Sequence, residues 1–211
     1  MTDIIAIDGP AGSGKSSVAR MLANKLGLLH VDTGAIYRTV ALRAIELKLS
    51  LDDANALAHL ARNLEIIEKS ALIRTEAISQ AASKVSQYPE VRSNLLDLQR
   101  RFAKDSKTGA VLEGRDIGTV VFPNATHKFF LTASNEKRAE RRLLELEARG
   151  ESADYETVLK EILERDERDQ NRCVAPLKPA LDAVVIDTTQ VTLAQVVERI
   201  SLKTQLGNLY F

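Results

Sequence analysis

The sequence predicts an α/β domain in which helices flank a five-stranded parallel sheet. Short apolar segments alternate along the chain with longer segments of helical periodicity. Glycine or aspartate, which favour turns, follows several of the apolar segments, and 211 residues suffice for one sizeable core. Strands separated by helices are typical of a parallel sheet that is covered on both faces. We therefore expect a single domain with mobile appendages.

The strands and the first helices are predicted from local pattern. The apolar runs that predict strands are residues 4–7, 28–31, 110–112, 128–131 and 183–186. A helix is expected over residues 15–26, closed by Gly27, and a second helix is expected after Asp32-Thr33-Gly34. The first half of the chain thus has the strand–helix–strand order of an α/β protein.

Two further regions are predicted to be mainly helical. Within residues 51–105, Asp52 or Asp53 caps one helix, and Pro89 occupies the first turn of another. The highly charged segment 138–172 is expected to be helical, and in its simplest interpretation it is a solvated helix with ion pairs four residues apart. The core then comprises residues 1–50, 106–135 and 173–205.

Composition excludes several classes of protein. Lysine plus arginine and aspartate plus glutamate both number 29, so no net charge attracts the chain to nucleic acid or to a membrane surface. The lone Cys173 cannot form an internal disulfide, and neither a signal peptide nor an apolar run of membrane-spanning length is visible. We expect a cytoplasmic monomer. Residues 207–211 resemble part of a protease-site linker and are excluded from the functional interpretation.

A glycine-rich motif lies between the first predicted strand and the first predicted helix. Residues 9–16 fit G-x-x-x-x-G-K-[ST], the phosphate-binding loop or P-loop, in the structural context that this motif requires. Backbone amides and the helix dipole would bind the phosphates of ATP, and Lys15 would bridge the β- and γ-phosphates. The Ser16 hydroxyl is placed to bind Mg²⁺. The predicted ATP-binding residues are Gly9, Pro10, Ala11, Gly12, Ser13, Gly14, Lys15, Ser16 and Ser17.

A P-loop alone leaves several functions open. The Asn-Lys-x-Asp motif with which switch GTPases read guanine is not present in the sequence. Motor and transport ATPases are usually longer. A small-molecule kinase is therefore the interpretation that the residues favour.

Four segments together are similar to bacterial cytidylate kinases. They are residues 9–17, 32–38, 113–123 and 165–176, and they occur in the order found in that family. The similarity covers nearly the whole chain. It implies a P-loop fold of the nucleoside-monophosphate kinase type, with an acceptor-binding insert at about 51–105 and a lid at about 148–172. It also implies transfer of the γ-phosphoryl group of ATP to CMP, and to dCMP, with Mg²⁺, in pyrimidine nucleotide metabolism.

The resemblance also implies roles for individual residues. The acceptor phosphate is expected at Arg38, Arg115 and Arg172, the cytosine at Ser83, Arg92 and Asp116, and the sugar at Arg165 and Asp169. Thr33 belongs to the same substrate-binding set, and the expected catalytic residues are Lys15, Arg115, Arg165 and Arg172.

These roles agree with the chemistry of the side chains. Guanidinium groups bind phosphate oxygens in bidentate fashion. A carboxylate such as Asp116 can accept the N4 amino group of cytosine, whereas uracil reverses that donor pattern. Each residue also has a simpler interpretation, since Ser83, Arg92 and Arg38 could lie on polar helix faces and Asp116 could cap a turn.

The remaining expectations concern the arginine-containing segment 165–172 and the acceptor-binding insert. Residues 165–172 are predicted to close over ATP as a mobile lid that excludes water. Leu64 and Arg74 are close in sequence, so the insert is shorter than in the long bacterial type, either naturally or because a flexible stretch near residues 69–73 is missing. Thr33 and Glu113 stand where serine and aspartate are frequent in the family.

Two alternatives remain open on the sequence. The chain could phosphorylate UMP or AMP instead of CMP. It could also be a regulatory module that binds a nucleotide without catalysis, although a sensor has no need of arginines for a second phosphate.

Overall fold

The computed structural model describes residues 3–65 and 71–207. Part of the stretch at 69–73, where the insert is expected to be short, lies outside these ranges. Residues 208–211 of the proposed linker also lie outside them, whereas Gly207 ends the last helix.

The five predicted strands form one parallel sheet. They are β1 (Ile4–Asp8), β2 (Leu29–Asp32), β3 (Ala110–Gly114), β4 (His127–Thr132) and β5 (Val184–Asp187). Their order is β2-β3-β1-β4-β5, so β1 is central and pairs with β3 and β4. The strands end one or two residues from the predicted positions because polar residues such as Asp8 and Glu113 continue the pairing of the apolar runs. The carboxyl ends of parallel strands share one edge, where ligands bind in such folds.

Eight α-helices are present in the described part of the chain. They are α1 (Lys15–Leu26), α2 (Thr33–Glu46), α3 (Ala54–Arg62), α4 (Glu76–Val85), α5 (Pro89–Lys104), α6 (Asn135–Glu147), α7 (Tyr155–Asn171) and α8 (Leu193–Gly207). A 3₁₀ turn at Ala71–Arg74 precedes α4, and a π-helical turn at Ile117–Val121 follows β3.

Capping residues account for the helix starts in the insert. Of the two candidates, Asp53 is the cap of α3, and its side chain accepts a hydrogen bond from the Ala56 amide at 3.0 Å. Pro89 is the first residue of α5, as its fixed φ favours. The α3 helix ends at Arg62, two residues before Leu64, which packs against the core of the insert.

Hydrophobic clusters divide the molecule into packed regions. One face of the sheet packs Ile5, Ile7 and Leu131 against α1 and α8, and the other face has its own cluster around Leu112. Helices α2 to α5 share a separate cluster, and α6 and α7 pack on each other through a small cluster that includes Ile162. The helices of the predicted insert therefore pack against α2 of the predicted core, and α7 of the predicted lid packs against α6. Within the described ranges, no helix is long and apolar enough to span a membrane.

Candidate functional site

The predicted P-loop wraps around the N-terminus of α1. Gly14 caps this helix with φ of 85°, a left-handed conformation that glycine adopts without strain. Gly9 is equally constrained, since an added Cβ would lie 2.1 Å from the Leu131 carbonyl oxygen. The loop can therefore pass close to β4, and it ends at the first amides of α1, which have no partner within the helix and suit an anion.

Lys15 lies at the base of this loop. It is buried, and its Nζ donates a hydrogen bond to the Pro10 carbonyl at 3.1 Å. Burial lowers the pKa of Lys15 to about 7, and the nearby positive charge of Arg115 lowers it further, against the opposing effect of Glu113. Such a cation is stabilised by an anion that contacts it, as a polyphosphate would.

Side chains from distant segments hold the carbonyl groups of the P-loop. Arg138 donates to the Ala11 carbonyl at 3.0 Å, and Arg141 donates to the Gly12 carbonyl at 3.4 Å. Thr188, which follows β5, donates to the Ser13 carbonyl at 3.0 Å. These contacts leave the amides of the loop free to face a ligand. The sequence analysis did not identify these contacts. Arg138 and Arg141 belong to the charged segment, whose simplest interpretation was a solvated helix, whereas Arg138 is only 3% exposed.

Ser16 faces a buried carboxylate. Its Oγ donates to Glu113, whose other carboxylate oxygen lies 3.0 Å from Nε2 of His30. Thr33 contacts the same strand end, because its Oγ1 donates to the backbone carbonyl of Glu113 at 2.7 Å. His30 thus has a carboxylate partner that its sequence spacing did not reveal.

A cleft of about 340 Å³ opens between the P-loop, the insert and α7. All the residues predicted to bind the acceptor line it: Thr33, Arg38, Ser83, Arg92, Arg115, Asp116, Arg165, Asp169 and Arg172. Six of the nine P-loop residues also line it: Ala11, Gly12, Gly14, Lys15, Ser16 and Ser17. Gly9, Pro10 and Ser13 are not part of its lining. Arg38, Arg115 and Arg172, the arginines predicted to hold the acceptor phosphate, therefore line the same cleft as Lys15 and Ser16 of the P-loop.

One corner of the cleft groups the residues predicted to read the base. Arg92 donates to Asp116, and its guanidinium also donates to the Ser86 carbonyl at 3.2 Å. The ring of Tyr37 lies under this guanidinium, 5.3 Å from its carbon, in a cation–π arrangement. Arg172 is the second cation beside Asp116, 3.8 Å from its Oδ1. Arg92 and Asp116 are both buried, so neither is only the polar face of a solvated element.

The predicted sugar and phosphate contacts meet at Asp169. Nε of Arg115 donates to Oδ2 of Asp169 at 2.9 Å, and the Ser83 hydroxyl donates to Oδ1 at 3.3 Å. Burial alone would raise the pKa of Asp169, but the guanidinium groups of Arg115, Arg165 and Arg172 outweigh it and hold the pKa below its usual value. Asp169 is therefore ionised at neutral pH.

Three arginines of the cleft have buried donor atoms without a hydrogen-bond partner among the described residues. These atoms are Nε of Arg38, Nε of Arg165 and Nη2 of Arg172. Burial, with the nearby Arg115, lowers the pKa of Arg165 to about 10. Unsatisfied buried donors are unfavourable, so their grouping in one cleft indicates an anionic ligand with several acceptor oxygens.

The cleft also contains residues that the sequence interpretation did not select. Arg74 and Arg149 lie on its rim, and Arg142 joins α6 to the insert through an ion pair with Glu76. Arg38 is held by Asp32, at 2.7 Å between Nη2 and Oδ2. The position of Asp32 at the end of β2 was a signal that could have identified it.

A parallel sheet with a P-loop after its first strand, and a cleft lined by both that loop and several arginines, defines a P-loop kinase. The chain belongs to the cytidylate kinase family, because the family model described as Cytidylate kinase matches residues 5–205.

Individual relatives agree with this assignment. The chain is 49% identical over 210 residues to a cytidylate kinase of Citrifermentans bemidjiense, covering 92% of this chain and 89% of the relative. It is 52% identical over 188 residues to a cytidylate kinase of Methylocella silvestris, covering 89% and 87%. A gluconokinase structure from Sinorhizobium meliloti 1021 superposes with a TM-score of 0.52 at 20% identity, covering 100% of this chain and 97% of that chain, and it supports the fold alone.

Proposed function

We propose that this chain transfers the γ-phosphoryl group of ATP to CMP, giving CDP and ADP. The observation that carries this proposal is the position of Arg38, Arg115 and Arg172 in the cleft that Lys15 also lines. An enzyme that joins two phosphorylated molecules needs two phosphate sites that face each other. The P-loop supplies one site and the arginines supply the other.

The chemistry needs little from the protein besides position and charge. An acceptor phosphate has a second pKa of roughly 6, so at neutral pH its oxygen is already an ionised nucleophile. No general base is then required. The remaining activation barrier arises from the charge that develops on the transferred group. Preorganised cations stabilise that charge and so lower the barrier. Lys15, Arg115, Arg165 and Arg172 supply those cations in this proposal.

The residues at the end of β3 fit a magnesium ion that is bound mainly by substrate phosphates. The Ser16 hydroxyl and the buried Glu113 offer oxygen ligands, which Mg²⁺ prefers. Within residues 3–65 and 71–207, no group of three or more His, Cys, Asp or Glu side chains could hold a metal without substrate. A magnesium ion held by Ser16 and Glu113 would supply positive charge that neutralises the phosphates of the bound nucleotide.

The corner formed by Arg92 and Asp116 supports cytosine as the base. The Asp116 carboxylate can accept the N4 amino group, and Arg92 and Ser83 can donate to N3 and O2. Arg92 is fixed in position by Tyr37, the Ser86 carbonyl and Asp116. Arg165 and Asp169 would contact the sugar, and we propose dCMP as a second acceptor.

The lid is proposed to consist of residues 148–172, which carry Arg165, Asp169 and Arg172 on α7 and at its end. Arg168 of α7 donates to Ser83 at 3.4 Å and also to Gln80, so α7 already contacts the insert. A single movement of α7 would bring the catalytic arginines to the phosphates and would also exclude water from them. Amide hydrogen exchange with ATP and CMP added should slow across α7, and equal exchange with and without both nucleotides would contradict a lid.

We further propose a cytoplasmic monomer without nucleic-acid or membrane partners. The equal numbers of acidic and basic residues support this, since no net charge favours a polyanion. Light scattering after size exclusion would give the mass, and a mass near twice 23.2 kDa would contradict the monomer.

A panel of acceptors tests the activity. ADP release from ATP and Mg²⁺ would be measured by a coupled assay with CMP, dCMP, UMP or AMP. We expect kcat/KM for CMP to exceed the values for UMP and AMP by at least ~10-fold, the discrimination that one mispaired base edge provides. Preference for UMP would overturn the base assignment. ATP binding without acceleration by any acceptor would favour the regulatory interpretation.

A further inference from the structure

Asp8 is the last residue of β1 and lies directly before the P-loop, yet its side chain does not line the cleft. It is buried, with 3% of its surface exposed. Its Oδ1 accepts the amide hydrogen of Ile117 at 2.8 Å, and its Oδ2 accepts that of Gly118 at 2.8 Å. Both carboxylate oxygens therefore bind backbone of the segment after β3.

The same residue also adjoins the other end of that segment. In the pairing of β1 with β3, Asp8 is opposite Gly114, the last residue of β3. The chain leaves the sheet beside Asp8 at Gly114, and it returns to the Asp8 carboxylate at Ile117 and Gly118. The two residues between these anchors are Arg115 and Asp116, which both line the cleft.

We propose that Asp8 is a positioning residue for the acceptor, holding the Arg115–Asp116 turn at both ends so that these side chains meet CMP. The inference rests on the proposed function, since it takes CMP as the ligand of those two side chains. Asp8 is thereby assigned to the acceptor site, although its position directly before the P-loop suggests the ATP site. Hydrogen bonds from two amides to one carboxylate are also stronger and more directional than hydrogen bonds to a neutral group.

The charge of Asp8 matters to this arrangement. Burial raises the pKa of Asp8 to about 7, against the two amide hydrogen bonds that lower it, with Asp116 raising it further and Arg115 lowering it. Lys128 of β4 packs beside Gly118 but is paired with Asp182, and Glu113 of β3 is bound to Ser16 and His30. Protonation of Asp8 places a hydrogen on one oxygen and weakens one of its two bonds to the turn.

Asp8→Asn imitates the protonated state at nearly constant volume. We expect the dissociation constant for CMP, measured by calorimetry at pH 8, to rise about tenfold, because one charge-assisted hydrogen bond is replaced by two facing N–H groups. The affinity for ATP should stay within about twofold of the original value, since the P-loop is held by other residues. Asp53→Asn is the matched control, because Asp53 also accepts a backbone amide hydrogen but lies at the start of α3, and CMP affinity should not change.

The pH dependence distinguishes positioning from a purely structural role. At pH 6 most of Asp8 is protonated in the original protein, so its CMP affinity should approach that of Asp8→Asn at the same pH. At pH 8 the dissociation constants of the two proteins for CMP should differ by the full factor of about ten. Comparison at equal pH cancels the titration of the CMP phosphate itself. A constant ratio of affinities from pH 6 to 8, or a loss of ATP affinity equal to the loss of CMP affinity, would overturn the proposal.

A measurement on the unaltered protein does not depend on the variant folding. If ionised Asp8 favours CMP binding, reciprocity requires that CMP binding lower the pKa of Asp8. The ¹³C resonance of the Asp8 carboxylate can be titrated with and without CMP, and an unchanged pKa would reject the inference. If the original protein does not bind CMP at all, the proposed function fails instead.

Discussion

Arg115 and Asp169 form a partly buried ion pair, with 2.9 Å between Nε and Oδ2, that joins the turn after β3 to helix α7. The two residues are 54 positions apart in the chain. One is proposed to hold the acceptor phosphate and the other to contact the sugar. Because this hydrogen bond links the two side chains directly, we expect phosphate and sugar recognition to weaken together when it is removed.

The first prediction concerns this pair. Asp169→Asn should lower kcat/KM for CMP by about 10²-fold, because it removes the sugar contact and also the anion that orients Arg115. The loss should appear with dCMP as well, since the orientation of Arg115 does not depend on the 2′-hydroxyl. Steady-state kinetics with both acceptors provide the measurement. A loss confined to CMP would show that Asp169 acts on the sugar alone.

The second prediction concerns Arg165. Its Nε has no hydrogen-bond partner among the described residues, and burial lowers its pKa, so it contributes little to folding. Arg165→Ala should lower kcat by about 10³-fold or more, the effect of removing one arginine from a phosphoryl-transfer transition state. The midpoint of thermal unfolding should stay unchanged or rise. Lys160→Ala, an exposed change on the same helix, is the control, and equal kcat for the two variants would refute a catalytic role.

The sequence predicted those features of the fold and site that are determined by neighbouring residues in the chain. The P-loop, the β-strands and the start of α5 at Pro89 were predicted because each depends on a pattern of consecutive residues. The structure confirms those elements. The contacts of Asp8 and Arg138 were not predictable, because their partners are 109 and 127 positions away. An aspartate before a glycine looks like an ordinary turn residue until the sheet places β3 beside it.

The third prediction tests the contacts that hold the P-loop. Thr188 donates to the Ser13 carbonyl and accepts from Arg141 at 3.0 Å, so it connects the loop to α6. Thr188→Val keeps the shape of the side chain and removes both hydrogen bonds. We expect KM for ATP to rise about three- to tenfold with KM for CMP unchanged. Thr192→Val, at the start of α8, is the control, and a rise in KM for CMP alone would contradict the assignment.

The last prediction uses the linkage between ionisation and folding. The pKa of Asp8 is about 7 in the folded protein and near 3.8 when the chain is unfolded, because burial disfavours the charged form. Between these two values the folded state binds more protons than the unfolded state, so the stability that Asp8 contributes falls as pH rises. This contribution is fully present below pH 3.8 and lost above pH 7.

The measurement is the free energy of unfolding in urea for the original protein and for Asp8→Asn. The difference between the two proteins should decrease by roughly 2 to 3 kcal/mol from pH 5 to pH 8. A difference that stays constant or grows over this range would mean that Asp8 is already ionised in the folded protein at pH 5. Ionisation of Asp8 removes this stability but restores the bond to the Arg115–Asp116 turn that protonation weakens, so stability and CMP affinity should respond to pH in opposite directions.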